Sequence, residues 1–389
     1  MADEQVLPIP NLALSQALFV LSSPSLSHLH DKYRPELLDG IKVDSMTPYY
    51  RSITSAASPV LPLDQALLEE MEGKNSEEEE KLKERLEQAE KTEGETEIAE
   101  ALRAKADFLT RVGDREAAVT AQKLALSKTP GLGSKIDIVL TLVRIGFFFG
   151  DQELISEYLK EAERLVEEGG DWDRRNRLKV YTGLHLLSIR QFTPAAALLL
   201  DALSTFTAVE LVSYNDYVAL TVIANTLVLS RPDLKKKIIQ SSEVISALPE
   251  LPTLGDLVKS LYECHYDKFF VALAETSTSS LLPSRLLAPH ARYYVRECRI
   301  RAYAQLLESY RSLTLESMAK AFGVSEVFID GELSRFISSG RLSCTIDKVN
   351  GIVSTTRGGE TGKEKQYDSV VMKGDVLLGK LQRLSKVLY

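Results

Sequence analysis

One pattern decides what this chain can become: an apolar helix, a short polar turn and a second amphipathic helix, written three times in succession. The three turn-bearing segments are Ala104–Asp114, Thr141–Asp151 and Tyr181–Gln191, and their turns recur about 37 and 40 residues apart. Each is followed by an amphipathic stretch: Arg115–Ser127, Glu153–Glu168 and Pro194–Phe206. A helix pair of this size cannot bury its apolar face alone, so neighbours must stack into a solenoid with a continuous core. Gly113 and Gly150 stand where a helix C-terminus takes a left-handed residue. Gly169-Gly170 close another helix, and Asp171 or Asp173 is placed to cap the next. Trp172 between those aspartates reads as a packing anchor. Weaker helices are predicted over Tyr217–Leu229, Leu234–Leu248, Gly255–Leu273 and Ala291–Leu313, and nothing before residue 340 reads as a strand.

The pattern changes after Tyr310. Leu315, Met318, Ala319 and Phe322 share one helical face, closed by Gly323. Ser325 can cap a second helix whose inward face is Ile329, Leu333, Phe336 and Ile337, closed by Gly340. Two β-capable runs follow, Leu342–Val349 and Ile352–Thr356, joined by Asn350-Gly351, a dipeptide suited to a type I′ hairpin turn. Helix, helix, hairpin in this order describes a winged helix. After a loop over Gly358–Gly362, a last helix over about Asp368–Leu388 carries Val370, Leu377, Leu381, Leu384 and Leu388 on one stripe. Burying five such side chains contributes about 8 to 15 kcal/mol before the entropy of ordering is subtracted, so the helix is expected to pack against something.

The expected organisation is therefore mainly α. It comprises an N-terminal segment with short helices (1–62), a charged helical region (63–100), a TPR-like repeat solenoid (101–300), a winged-helix part (301–357), and a loop with a terminal helix (358–389). In the charged region Gly73, Lys74 and Asn75 suggest a break, and Glu77–Glu80 reads as a solvated face. Between Glu69 and Glu100 stand fourteen Glu against five Lys or Arg, a local net of -9 within a whole-chain charge of -8. The remainder is thus near neutral, and general nucleic-acid binding has no electrostatic support.

Candidate chemistry fails on detail. Cys264, Cys298 and Cys344 lie far apart with no close pair, against both a disulfide framework and a cysteine-built zinc site. His28, His30 and Asp39 invite comparison with the zinc ligands of metal-dependent isopeptidases, but the proline and serine of that motif are missing and the spacing to Asp39 is short. His185, His265 and His290 read as isolated structural histidines. Gly362-Lys363 lacks the glycine and hydroxyl partners of a phosphate loop. On the second winged-helix helix, Glu326, Asp330 and Glu332 outweigh Arg335, the wrong sign for approach to phosphates. The uncharged stretch Gln5–Ser27 follows acidic rather than basic residues and is broken by Pro8, Pro10 and Pro24, unlike an export signal. Tyr217–Ser230 is shorter than the ~20 residues a bilayer requires. A soluble intracellular protein without catalytic, cofactor or metal site is expected.

Longer blocks carry a resemblance: Asp44–Tyr50, Gly169–Tyr181, Ala288–Glu297, Gln305–Leu315, Glu332–Ile337, Gly340–Leu342 and Ile346–Asn350. With the helical array running into a winged helix, they resemble the PCI-module subunits of the proteasome lid, the COP9 signalosome and a translation-initiation complex, and most closely those of the proteasome regulatory particle. The PCI module would begin near residue 190. The resemblance implies a non-catalytic scaffold in the cytoplasm and nucleus, within a hetero-oligomer. Its partners would be other lid subunits, including the deubiquitinase pair, and the ATPase ring, with neither nucleic acid nor membrane. A signalosome subunit-one-like PCI scaffold is the alternative. It further implies lateral pairing through a winged-helix edge, at Leu342–Thr345 or Ile352–Thr355, and a bundle built on Val370, Leu377, Leu381, Leu384 and Leu388. Leu342 and Ile352 thus join the five stripe residues as candidate contact sites.

Overall fold

Four helices precede the repeats in the computed structural model, which describes residues 7–55, 60–92, 94–355 and 361–388. They are α1 (Leu12–Ser22), α2 (His30–Val43), α3 (Thr47–Thr54) and α4 (Gln65–Thr92). The Asn11 side chain accepts from the Ala13 N–H and starts α1. Gly40 lets α2 lie directly on α1: an added Cβ would stand 2.2 Å from Leu14 Cδ2. Leu14 and Leu21, Leu37 and Ile41, Tyr49 and Tyr50, and Leu68 and Met71 close one core from these four helices.

The break expected at Gly73–Asn75 is absent, because α4 runs through it. Gly73 is exposed with no atom near its Cβ position, and Lys74 bonds Glu70 one turn back at 2.7 Å. Asn75 Nδ2 then ties the helix to the Ser45 carbonyl (2.8 Å) and the Thr47 hydroxyl (3.0 Å). Of the acidic run, Glu78 is engaged by Arg111 at 2.5 Å, whereas Glu77 and Glu80 are exposed.

The repeats are α5 (Glu95–Val112) with α6 (Arg115–Lys128), α7 (Leu132–Phe149) with α8 (Gln152–Gly169), and α9 (Trp172–Ser188) with α10 (Phe192–Asp201). Gly113 (φ 82°) and Gly150 (φ 77°) end the first two leading helices in left-handed backbone. Asp114 and Asp151 follow at once and cap the return helices, each accepting from a main-chain N–H at 3.1 Å. The third turn makes the same bend without a glycine, through Arg190 at φ 67°. Its return helix stops at Asp201, short of the expected Phe206.

Asp171, not Asp173, caps α9, accepting from the Arg174 N–H at 3.0 Å. Trp172 is 64% exposed, so it is no packing anchor. The anchoring falls to its charged neighbours. Arg174 grips Asp137 of α7 with two hydrogen bonds of 2.9 and 2.7 Å. Arg177 lies 3.6 Å from the buried Glu210, which also accepts from the Tyr181 hydroxyl at 3.0 Å.

Next come α11 (Tyr214–Val228), α12 (Arg231–Leu234), α13 (Ser242–Ala247), α14 (Pro252–Glu263) and α15 (Tyr266–Thr276). The single helix expected over Leu234–Leu248 is broken by a π turn at Lys235–Ile239. That expected over Gly255–Leu273 is broken at Cys264, whose φ is 65°. The chain divides into two compact units, one of residues up to Gly255 with Glu275–Arg292, the other of Asp256–Ala274 with residues from Tyr293 onward.

The second unit continues with α16 (Ala291–Ser309), β1 (Ser312–Thr314), α17 (Leu315–Phe322), α18 (Glu326–Ser338), β2 (Cys344–Asp347), β3 (Ile352–Thr355) and α19 (Thr361–Leu388). Phe322 is its aromatic hub, with ring centroids of Tyr266, Phe270 and Tyr303 at 4.9, 5.0 and 4.7 Å. Gly323 and Gly340, both left-handed, end α17 and follow α18. The sheet corrects the expectation of no strand before residue 340. Its order is β1-β3-β2, all antiparallel, with Leu313 and Ile346 both opposite Val353. The hairpin turn differs as well. Asp347 Oδ1 accepts from the N–H groups of Val349 (2.9 Å) and Asn350 (3.3 Å), and only Gly351 is left-handed. A side-chain-nucleated loop therefore replaces the type I′ turn. The loop expected over Gly358–Gly362 lies outside the described residues up to 360.

Candidate assembly surfaces

The apolar stripe of the last helix is the first candidate surface. α19 starts at Thr361, seven residues before the expected Asp368. From Gln366 to Lys386 each side chain is exposed, and only Gly379 is partly covered. Val370 is 67% exposed, Leu377 62%, Leu381 54% and Leu384 59%. At 100° per residue these four fall within about 60° of one another. Each leaves unclaimed the roughly 1.5 to 3 kcal/mol that burying such a side chain contributes. The side chain of Leu388 lies outside the described residues. From Val370 to Leu388 the helix carries four basic residues, Lys373, Lys380, Arg383 and Lys386, and one carboxylate, Asp375, a sign that suits a helix C-terminus.

The sheet is the second surface. Ile352 lies on β3, hydrogen-bonded on both sides, so the edge expected along Ile352–Thr355 does not exist. The reason is β1, which takes the side of β3 that a two-stranded wing would leave open. Leu342 precedes β2 and is buried, its N–H reaching the Phe336 carbonyl at 3.3 Å. It is a core residue at the foot of the wing. Among the described residues the unpaired edges belong to β1 and β2, the latter with Thr345 and Asp347 exposed.

The acidic character of α18 is partly neutralised from neighbouring elements. Glu332 is buried and met by Arg299 at 3.1 Å, and Asp330 is met by Lys348 of the hairpin at 3.0 Å. The helix thus spends two carboxylates on holding its own domain together.

Of the histidines weighed for catalysis, two lie against main-chain carbonyls. His30 Nε2 lies 3.1 Å from the Val20 carbonyl and 3.2 Å from that of Ser23, and His290 Nε2 lies 2.8 Å from the Ser188 carbonyl. His185 Nε2 is 3.3 Å from the Ser156 hydroxyl, and burial lowers its pKa. Burial pushes the Cys298 thiol up to about 12, far from a reactive thiolate. Among the described residues no three His, Cys, Asp or Glu gather to hold a metal ion, and no helix is long and apolar enough to cross a membrane.

The charged grip of α9 was missed from sequence, although its block, Gly169–Tyr181, stood out. The signal was the density of Arg and Asp in a helix of a repeat otherwise built from apolar residues.

The sequence model described as 26S proteasome subunit RPN7 matches residues 64–237, and that of the PCI domain matches residues 273–357. The chain is 43% identical over 380 residues to the 26S proteasome non-ATPase regulatory subunit 6 homolog of Arabidopsis thaliana, covering 97% of each. It is 41% identical over 385 residues to the 26S proteasome regulatory subunit rpn7 of Schizosaccharomyces pombe, covering 98% of this chain and 96% of that one. Against the RPN7 subunit of Saccharomyces cerevisiae it is 38% identical over 404 residues, covering 98% and 94%.

Proposed function

Because the chain belongs to the family of the 26S proteasome regulatory subunit Rpn7, also called non-ATPase regulatory subunit 6, we propose that it is a non-catalytic structural subunit of the regulatory-particle lid. In this role it supports lid assembly and, through it, ATP-dependent degradation of ubiquitinated proteins in cytoplasm and nucleus. The observation that carries the reading is α19, a long helix whose apolar stripe from Val370 to Leu384 is exposed among the described residues. An isolated helix of that kind is marginal in water and gains its stability from a partner. The partners proposed are helices of other PCI subunits and of the deubiquitinase pair, gathered in one bundle, with the ATPase ring as a further neighbour. The free edges of β1 and β2 offer main-chain hydrogen bonds to a neighbouring winged helix.

The test is a chain ending at Tyr367, co-expressed with the other lid subunits. The expected result is an unchanged melting transition for the purified chain and its loss from the assembled lid on native gels. Normal incorporation of the shortened chain would sink the proposal.

A further inference from the structure

The middle of α4 presents one hydroxyl directly ahead of four carboxylates, Ser76 before Glu77-Glu78-Glu79-Glu80. We infer that Ser76 is a phosphorylation site for a protein kinase with a basic substrate cleft, and that the phosphate loosens α4 around it.

The hydroxyl is available. Ser76 is exposed, and among the described residues its side chain makes no hydrogen bond. Other helical hydroxyls of the chain bond back to a carbonyl three or four residues earlier, as Ser52 does to Tyr49 and Thr120 to Glu116. In an extended segment alternate residues share a side, so Glu77 and Glu79 would line one side and Glu78 and Glu80 the other. Four carboxylates in a row thus present charge to a cationic cleft whichever side it reads. Ser213 and Ser230 also stand three residues before a carboxylate, but each is locked to it as a helix cap, to Asp216 at 2.7 Å and to Asp233 at 2.6 Å.

A kinase needs the segment extended, and α4 is weakest at this point. Gly73, Asn75 and Ser76 are poor helix formers. Gly73 is exposed and nothing approaches the position of its Cβ, so no packing contact calls for a glycine there. Few contacts close the stretch: the bonds of Asn75 to the Ser45 carbonyl and the Thr47 hydroxyl, the Glu78–Arg111 pair and the Glu79–Lys83 pair. Ion pairs at the surface contribute little. The segment therefore belongs to the low end of local stability and can open while Leu68 and Met71 stay in the core.

The reaction moves the γ-phosphoryl group of ATP to Ser76 Oγ. The Oγ–P bond forms, the bond from that phosphorus to the bridging oxygen breaks, ADP leaves, and the hydroxyl proton passes to the base of the kinase. The product carries a charge of about -1.5 to -2. One helical turn away stand Glu72, Glu79 and Glu80, and like charges at three- and four-residue spacing destabilise a helix. Arg51, Lys74 and Lys83 already hold Glu72, Glu70 and Glu79. The phosphate thus favours the opened form and weakens the tie of Asn75 to the start of α3.

The isolated full chain is incubated with casein kinase II and ATP, and the product is mapped by tandem mass spectrometry. Phosphate is expected at Ser76 and is lost in Ser76→Ala. Glu77→Gln with Glu79→Gln should slow the transfer about 10-fold, as the charges that steer the segment are gone. Gly73→Ala should slow it about fivefold, because the closed helix is favoured by that factor. In the phosphorylated chain, amide hydrogen exchange over residues 73–80 should be about 3- to 10-fold faster, with the repeat helices unchanged.

No transfer to Ser76, transfer confined to another hydroxyl such as Thr92, or a rate indifferent to the paired Gln substitutions would overturn the site. A rate in Gly73→Ala equal to wild type would overturn access by opening of the helix. Unchanged or slower exchange after phosphorylation would overturn the loosening. None of these readouts depends on assembly, so they stand apart from the test of the lid reading.

Discussion

The repeat array and the terminal helix are built from the same kind of apolar stripe and use it in opposite ways. In the array the stripe of one helix is met by the next within the same chain: Ile155, Leu159 and Ala162 of α8 are buried. In α19 an equally regular stripe stands in solvent. The hydrophobic effect is the same per unit area in both places, so the difference lies in where the partner resides. Apolar deletions in the array should register as lost folding stability. Equivalent changes in α19 should register as lost association.

The largest effect expected is therefore on assembly. Leu377→Asp with Leu381→Asp should abolish incorporation into the lid, because two charges would enter a buried seam. The melting temperature of the isolated chain should stay within about 1 °C of wild type, as exposed sites contribute little to folding. A clear drop in melting temperature would show that α19 is packed on its own chain and erase the contrast.

Next in size are changes inside the folded units. Phe322→Ala removes the ring at the centre of the aromatic cluster and should cost about 3 to 5 kcal/mol by urea unfolding of the full chain. Arg174→Ala leaves Asp137 buried without its bidentate partner and should cost about 3 kcal/mol. Adding Asp137→Leu to it should recover part of that loss, because the orphaned charge is then gone. An additive double variant would show that the pair does not couple α7 to α9.

How much of this could be read in the sequence follows the same division. The repeats were legible because Gly113-Asp114 and Gly150-Asp151 combine a left-handed stop with a cap at a fixed spacing, and local chemistry alone dictates both. The stripe of α19 was legible because helical periodicity needs no knowledge of the partner. The strand β1 was not. Three residues, Ser312–Thr314, show only a weak alternation and become a strand because β3 arrives from forty residues away. That one omission kept Ile352–Thr355 beside Leu342–Thr345 as a candidate free edge, although only the latter reaches an edge strand, β2. Trp172 was misread because its bulk suggested burial, whereas the cap and the paired arginines beside it already fix the start of α9.

The smallest effects test whether the three repeat turns are equivalent. Asp151 caps α8 and meets Arg115 at 2.6 Å, and its carboxyl is held below the usual range, first by the Leu154 N–H and then by Arg115. A carboxyl with a depressed folded-state pKa stabilises the fold above its unfolded value of about 3.9 and loses that contribution as pH falls through the folded value. Asp151→Ala should thus cost about 1 kcal/mol at pH 7, and the gap in melting temperature from wild type should narrow towards pH 3. A gap independent of pH would mean that the charge adds nothing to the cap. In the third turn Arg190 occupies the backbone region that glycine takes in the other two. Arg190→Gly relieves a left-handed strain of about 1 kcal/mol and adds somewhat less in chain entropy, so a gain of about 0.5 kcal/mol is expected. A loss instead would show that the Arg190 side chain holds the turn, and that the third repeat closes by a different device from the first two.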